Sequence, residues 1–198
     1  MATVGVPKVL VLGHSFVKRL YFDLLYGRIP RANLHFGLEN RANIRLHGIG
    51  GRTVAKLVAY DLDVVRTFRP DIVVLEIGTN DLAQGIPPET VGSSIDDLIK
   101  TLTETLGVAI VCVCHVIPRC DSSLQSSTFA YRARLLCNYL EVVLESLSGF
   151  FCWRHKLFTH PGKDLYVDDV HLNLRGQTSL YRSYRGALLH ALKLFEKQ

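Results

Sequence analysis

Hydrophobic positions along this chain fall into two alternating rhythms. Short unbroken apolar runs recur at Val9 to Leu12, Ile72 to Leu75 and Val108 to Val116. Such runs are too short for core helices and carry the signature of strands covered on both faces. Asn43 to His47 alternates, with Ile44 and Leu46 apolar, and predicts a second strand; Phe150 to Trp153 predicts a short fifth. Between the strands the period lengthens. Phe16 to Leu25 is amphipathic. Thr53 to Phe68 carries Val54, Leu57, Val58, Leu62 and Val65 at helical spacing until Arg69-Pro70-Asp71 stops it. Pro87-Pro88-Glu89 opens a helix that runs to about Leu106, since proline is tolerated in a first turn. Phe129 to Leu147 and Leu174 to Phe195 complete the helices. Gly27 to Ala42, the Ser-rich Asp121 to Thr128, and Thr159 to Asp169 read as irregular.

Strands alternating with helices predict βαβ units, a parallel sheet and right-handed crossovers, hence an α/β fold. Three polar motifs then fall at the C-terminal ends of the first three strands: Gly13-His14-Ser15, Gly50-Gly51 and Gly78-Thr79-Asn80-Asp81. In open α/β sheets that edge is where ligands bind. The 198 residues contain no repeat, linker or long low-complexity segment, so residues 1–198 are expected to form one domain.

Composition narrows the class. With 48% hydrophobic and 21% charged residues, the chain is globular rather than disordered. The longest apolar stretch, Leu106 to Pro118, is interrupted by His115 and too short to span a bilayer. The first apolar run lacks a preceding cationic region and continues into the Gly-His-Ser turn, so it reads as a strand rather than a signal peptide. Five cysteines, an odd number, give no disulfide scaffold and fit a reducing, intracellular (cytoplasmic) setting. Cys112 and Cys114 share one strand face, but no His/Cys pair at ligand spacing completes a metal site, and small buried apolar residues are the plainer reading. A net charge of +5 fits an anionic partner or simply a basic, soluble surface.

The chemistry centres on Ser15. A serine at a strand-to-helix turn is accessible, and its backbone N–H lies at the positive helix end. It is also an ordinary helix N-cap, and only the other motifs lift it above that reading. As a nucleophile it needs a base, for which His171 is the candidate. Asp168, three residues before, would fix the tautomer of His171 and stabilise its imidazolium. Oxyanion donors are on offer from the N–H of Ser15, the N–H of Gly51 and the side-chain amide of Asn80. Taken singly, Gly50-Gly51 is a strand-ending turn and Asn80-Asp81 a helix cap; their joint placement at one sheet edge favours a catalytic site.

In these residues the chain resembles the SGNH hydrolase superfamily, the GDSL-type esterases. Gly13-His14-Ser15 matches the block that holds the nucleophile, and Gly50-Gly51-Arg52-Thr53 the block that holds the oxyanion glycine. Gly78-Thr79-Asn80-Asp81 matches the asparagine block, and Asp168-Asp169-Val170-His171 the Asp-x-x-His block. The resemblance implies a three-layer α/β/α sandwich with a five-stranded parallel sheet, flavodoxin-like, and ester hydrolysis without a metal or other cofactor. It implies Ser15, Asp168 and His171 as the triad, and Ser15, Gly51 and Asn80 as the oxyanion hole. Two departures stand out: His14 replaces the usual acid of Gly-Asp-Ser, and Asp169 stands where glycine is common and so competes with Asp168, although spacing favours Asp168. The α/β-hydrolase elbow is absent because Val17 takes its last glycine's place. A narrower similarity, in Val11-Leu12-Gly13-His14-Ser15-Phe16 and Gly48-Ile49-Gly50-Gly51, is to esterase domains in first-open-reading-frame proteins of LINE-type retrotransposons. That likeness implies assembly and RNA binding through domains outside this chain.

The expected reaction is hydrolysis of short-chain acyl esters, such as acetyl esters, on small or polymer-bound alcohols, since no long apolar lid stands out. Arg41, Arg45 and Arg52 flank the second strand and are read chiefly as solvated. The rival reading is a basic binding module that contacts nucleic acid or anionic lipid through Lys18, Arg19, Arg175, Arg182 and Arg185, with the esterase site secondary.

Overall fold

A computed structural model describes residues 5–119, 124–143, 148–158 and 163–198. Five strands form one parallel sheet: β1 (Lys8–Gly13), β2 (Asn43–Gly48), β3 (Ile72–Glu76), β4 (Ile110–Cys114) and β5 (Phe150–Trp153). Their order across the sheet is β2-β1-β3-β4-β5, the flavodoxin-like arrangement. Every residue of β3 and β4 is buried. That burial follows from helices on both faces, which leave no wet side for polar alternation. One apolar cluster joins α1 (Ser15–Leu25) and α7 (Leu174–Phe195) to the sheet through Phe16, Leu20, Leu180 and Leu188. The other joins the opposite face to α2 (Val54–Tyr60), α3 (Leu62–Phe68), α5 (Pro88–Lys100) and α6 (Leu124–Val143) through Leu57, Val65, Ile95 and Leu136.

The α/β class, the five strands and the final helix agree with the sequence reading. Four local expectations do not. The segment Thr53 to Phe68 is two helices rather than one, broken at Asp61. Asp61 is buried, and both of its carboxylate oxygens accept from Arg52, at 2.6 and 2.9 Å. That inward pull outweighs helical continuity, which an exposed aspartate would not oppose. A short helix, α4 (Thr79–Ala83), follows β3 directly. It starts there because Gly78 adopts φ +100°, a conformation open to glycine, and turns the chain within one residue. α5 ends at Lys100 and passes into one π-helical turn, Thr101–Thr105. α6 begins at Leu124, so residues 124–128 of the expected serine-rich loop are helical, serines being acceptable in a first turn. The rest of that loop, and the expected helix end at Leu147, lie outside the described residues.

Glycine at two strand ends lets the layers meet. A Cβ on Gly13 would stand 2.3 Å from the Glu76 carbonyl oxygen, and one on Gly48 would stand 2.3 Å from the Lys18 backbone nitrogen. α1 therefore lies directly on the end of β2. Gly48→Ala is expected to cost about 1–3 kcal/mol in urea denaturation, the usual range for overpacking. Gly50→Ala, where a Cβ meets only open space, is expected to stay within about 0.5 kcal/mol of the parent protein.

Candidate active site

The strand register sets the site's geometry. Gly13 pairs with Gly48 on one side and with Glu76 on the other, so the first three strands end at one level. Ser15, the first residue of α1, sits just above that level and is half-buried. It lines a cleft of about 620 Å³ together with Gly50, His171, Gln177, Lys18 and Arg19. Lys18 and Arg19 follow Ser15 by three and four residues, which puts them on its side of the helix, one turn away.

The turn beneath Ser15 is held by His14. This histidine is the N-cap of α1 and is almost fully buried. Its Nδ1 accepts from the Phe16 N–H at 3.4 Å. Among the described residues no group takes the N–H of Ser15 or of Gly51. Gly51 adopts φ +71°, the left-handed region that favours glycine.

The loop that carries Gly51 is gripped from α4. Asn80 donates its side-chain amide to the Arg52 carbonyl at 2.8 Å. The carboxylate of Asp81 accepts from the Val54 N–H at 3.1 and 3.2 Å, which caps α2. Burial raises the Asp81 pKa, and the Val54 hydrogen bond partly offsets that. One of the two amide hydrogens of Asn80 is thereby used.

Asp168 and His171 form a self-supporting loop. One Asp168 oxygen accepts from the backbone N–H of Val170 at 2.8 Å and of His171 at 2.6 Å. The other lies 2.8 Å from His171 Nδ1. Slight burial would raise the Asp168 pKa, but these N–H groups and the ring outweigh it and bring the carboxyl down to about 2. Nδ1 is thus committed to Asp168, and Nε2 is the nitrogen free to exchange a proton. An isolated antiparallel bridge, Tyr166 to Leu172, closes the loop at its base. Tyr166 in turn donates to the Pro118 carbonyl at 2.6 Å. Asp169 is exposed and, among the described residues, has no hydrogen bond to the ring, so of the two acids it is Asp168 that meets His171.

The sequence missed what lies under the site. Glu76, at the end of β3, is fully buried. Its Oε2 accepts from His155 Nε2 at 3.0 Å and from the Tyr184 hydroxyl at 2.8 Å. Burial opposes the carboxylate, but His155 foremost, then His14 and Tyr184, outweigh it and lower the Glu76 pKa. Burial likewise opposes charge on His155, yet the Cys114 sulfur and Glu76 raise its pKa to about 10. Cys114, dismissed as a metal ligand for want of a spaced partner, does meet partners in space: Glu76, Cys114 and His155 place ligand atoms within 4.8 Å of one another. Both His155 nitrogens are already hydrogen-bonded, Nε2 to Glu76 and Nδ1 to Ser183 at 2.8 Å, so an ion would have to displace one of these bonds. Gln177, six residues after His171, is also fully buried beside the cleft, and among the described residues neither of its amide atoms has a hydrogen-bond partner. A glutamine on the apolar stripe of an amphipathic helix was the only sequence signal for it.

The basic residues divide. Arg41 pairs with Glu196, Arg52 with Asp61, and Arg45 stands over the Phe68 ring. Of the five cations in the binding-module reading, Arg175 pairs with Asp164 and Arg185 donates to the Phe36 carbonyl. That leaves Lys18 and Arg19, at the mouth of the cleft, and Arg182. A second cavity, of about 570 Å³, shares none of the cleft's residues and lies beyond β4 and β5, lined by His115, Arg134, Arg154 and Phe158.

A sequence profile of the GDSL-like Lipase/Acylhydrolase family matches residues 11–178, which hold every element of the site. The chain belongs to that family. It is therefore a carboxylic ester hydrolase by class. Solved structures share the fold at low identity. An acetyl xylan esterase is 19% identical with a TM-score of 0.67, over 91% of this chain and 98% of that one. An acetyl esterase mutant with bound acetate ion is 16% identical with a TM-score of 0.69, over 95% of this chain and 99% of that one. An acetylxylan esterase from Geobacillus stearothermophilus is 18% identical with a TM-score of 0.64, over 96% of this chain and 95% of that one. No curated protein sequence matches the chain. Among the described residues no helix is long and apolar enough to cross a membrane.

The buried histidines give stability an opposed pH dependence. Burial foremost lowers the His14 pKa below its ordinary 6.5, against the pull of Glu76. Below that value the unfolded chain takes a proton that the folded chain refuses, so stability falls toward acid. His155 is shifted the other way. Its contribution is fully present below 6.5 and is lost as pH rises from there through about 10. Urea denaturation between about pH 5 and pH 9 is expected to show a maximum near neutrality, with neither limb steeper than about 1.4 kcal/mol per pH unit per group. His155→Gln is expected to flatten the alkaline limb. A parent stability that climbs steadily above neutral pH would contradict the assignment.

Proposed function

We propose that this protein is a serine esterase acting on short-chain acyl esters, with Ser15, His171 and Asp168 as its triad. The observation that carries the reading is that Ser15 and His171 line one cleft while Asp168 holds the remaining ring nitrogen of His171 at 2.8 Å. In this reading His171 Nε2 takes the Ser15 proton as Oγ attacks the ester carbonyl. The N–H groups of Ser15 and Gly51 and the spare amide hydrogen of Asn80 stabilise the oxyanion. The tetrahedral intermediate collapses, His171 returns the proton to the leaving alcohol, and an acyl-serine remains. Water, deprotonated by the same nitrogen, attacks the acyl-serine; the acid leaves and Ser15 is restored. The Asp168 carboxylate stays ionised throughout and stabilises the imidazolium at each step.

The open mouth, with exposed Phe22 and Tyr26 on its rim, supports small acyl groups on alcohols of varied size, free or polymer-bound. Lys18 and Arg19 at that mouth support weak attraction of anionic carriers such as lipid or nucleic acid. A retrotransposon origin, with assembly through domains outside this chain, rests on the Val11–Phe16 and Gly48–Gly51 sequences alone.

Ser15→Ala is expected to abolish hydrolysis of a p-nitrophenyl ester with no change in circular dichroism or melting temperature; retained turnover would remove Ser15 as nucleophile. Asp168→Asn is expected to lower kcat by about 10³–10⁴-fold, and Asn80→Ala by about 10²–10³-fold. Acetyl esters should be cleaved faster than long-chain esters, and the reverse preference would overturn the short-acyl assignment.

A further inference from the structure

The turn that presents Ser15 rests on an unusual pair of buried atoms. His14 Nε2 and Glu76 Oε1 face each other at 3.9 Å. Both are inaccessible to solvent, and among the described residues neither has a hydrogen-bond partner. The other polar atom of each side chain is engaged. Glu76 Oε2 accepts from His155 and Tyr184, and His14 Nδ1 accepts from Phe16 N–H. Buried polar groups are rarely left unpaired, because each costs about 1–3 kcal/mol. Buried together at 3.9 Å, the two atoms are placed to partner each other.

This closes a logical chain. Because Nδ1 accepts a hydrogen bond, it carries no proton, and a neutral His14 must carry its proton on Nε2. That proton then faces a carboxylate oxygen. The other tautomer would set Nδ1–H against Phe16 N–H and leave Glu76 Oε1 facing a lone pair. The cap matters to the cleft because it uses the N–H of Phe16 and leaves the N–H of Ser15 unclaimed. A serine, asparagine or aspartate cap takes the N–H two or three residues on, so many side chains could do the same. Here, however, the cap is a ring whose far nitrogen reports on the core.

We propose that Glu76 is a positioning residue: it holds neutral His14 in the Nε2–H tautomer, so that Nδ1 caps α1 through Phe16 and the Ser15 N–H stays free to bind an oxyanion. Glu76 acts on the nucleophile through His14 and touches no substrate. Its own place is fixed by His155, two residues past β5, and by Tyr184 of α7, so distant parts of the fold converge on one backbone donor. The catalytic consequence rests on the esterase reading; the tautomer does not.

Long-range proton–nitrogen NMR on histidine-labelled protein distinguishes the two tautomers and the imidazolium in the wild type, without substrate. The expected result is neutral His14 protonated on Nε2 at neutral pH. Protonation on Nδ1, or an imidazolium, would overturn the proposal whatever the enzyme activity. In Glu76→Gln the preference is expected to weaken, with kcat falling about tenfold or more and KM changing less than about twofold. His14→Phe, which removes the cap, should lose at least as much kcat. His14→Asn, whose amide oxygen can still accept from Phe16 N–H, should lose less. Equal losses in the two His14 variants, or a rise in KM without a fall in kcat, would show that the pair does not position the oxyanion donor. If the wild type gives the expected tautomer but cleaves no ester, the esterase reading fails and the tautomer assignment stands.

Discussion

Parallel register is the constraint from which the site follows. Gly13, Gly48 and Glu76 stand side by side at the C-terminal edge of three adjacent strands. The loops that leave them start level and must turn at once, because helices cover both faces of the sheet. Two of the three positions are glycines that admit no side chain: Gly13 against the Glu76 backbone and Gly48 against the backbone of α1. The third is a buried acid. Ser15 and the segments that carry Gly51 and Asn80 all leave that flush edge of the sheet.

Around that edge, the loops are tied together by side chains that each serve two parts of the chain. Asn80 binds the carbonyl of Arg52, and its neighbour Asp81 caps α2. The Asp168 carboxylate folds its own loop with one oxygen and orients His171 with the other. These bonds do not depend on substrate, so the groups are set before anything binds.

His14 stands where the Gly-Asp-Ser pattern has an acid. An exposed carboxylate at an N-cap would be solvated and favourable beside the helix dipole. A buried one beside Glu76 would place two anions about 4 Å apart in a poorly solvated interior, which is costly. A neutral imidazole caps the helix without that repulsion. Glu76, His14, His155 and Tyr184 are therefore best understood as one unit, in which the acid at position 76 and the histidine at position 14 make sense only together.

Much of this was legible without coordinates. The apolar runs gave the strands, their alternation with amphipathic segments gave the parallel sheet, and the polar turns after Leu12, Ile49 and Ile77 marked the binding edge. These are local signals, because periodicity and turn chemistry act over a few residues. Asp168 and His171 were legible because three residues of separation suffice for one loop to join them. What lies far apart in sequence was not. Nothing in the spacing of Glu76, Cys114, His155 and Tyr184 announces that they meet under His14, since each belongs to a different element and only packing unites them. The break at Asp61 was hidden in the same way: its cause is Arg52, nine residues back at the other end of α2, and not the local helical pattern. Sequence alone singled out the polar motifs at the sheet edge, because motif and turn are local. Tertiary structure decided which buried charges support them, because a desolvated ion is stable only where distant elements bring it a partner.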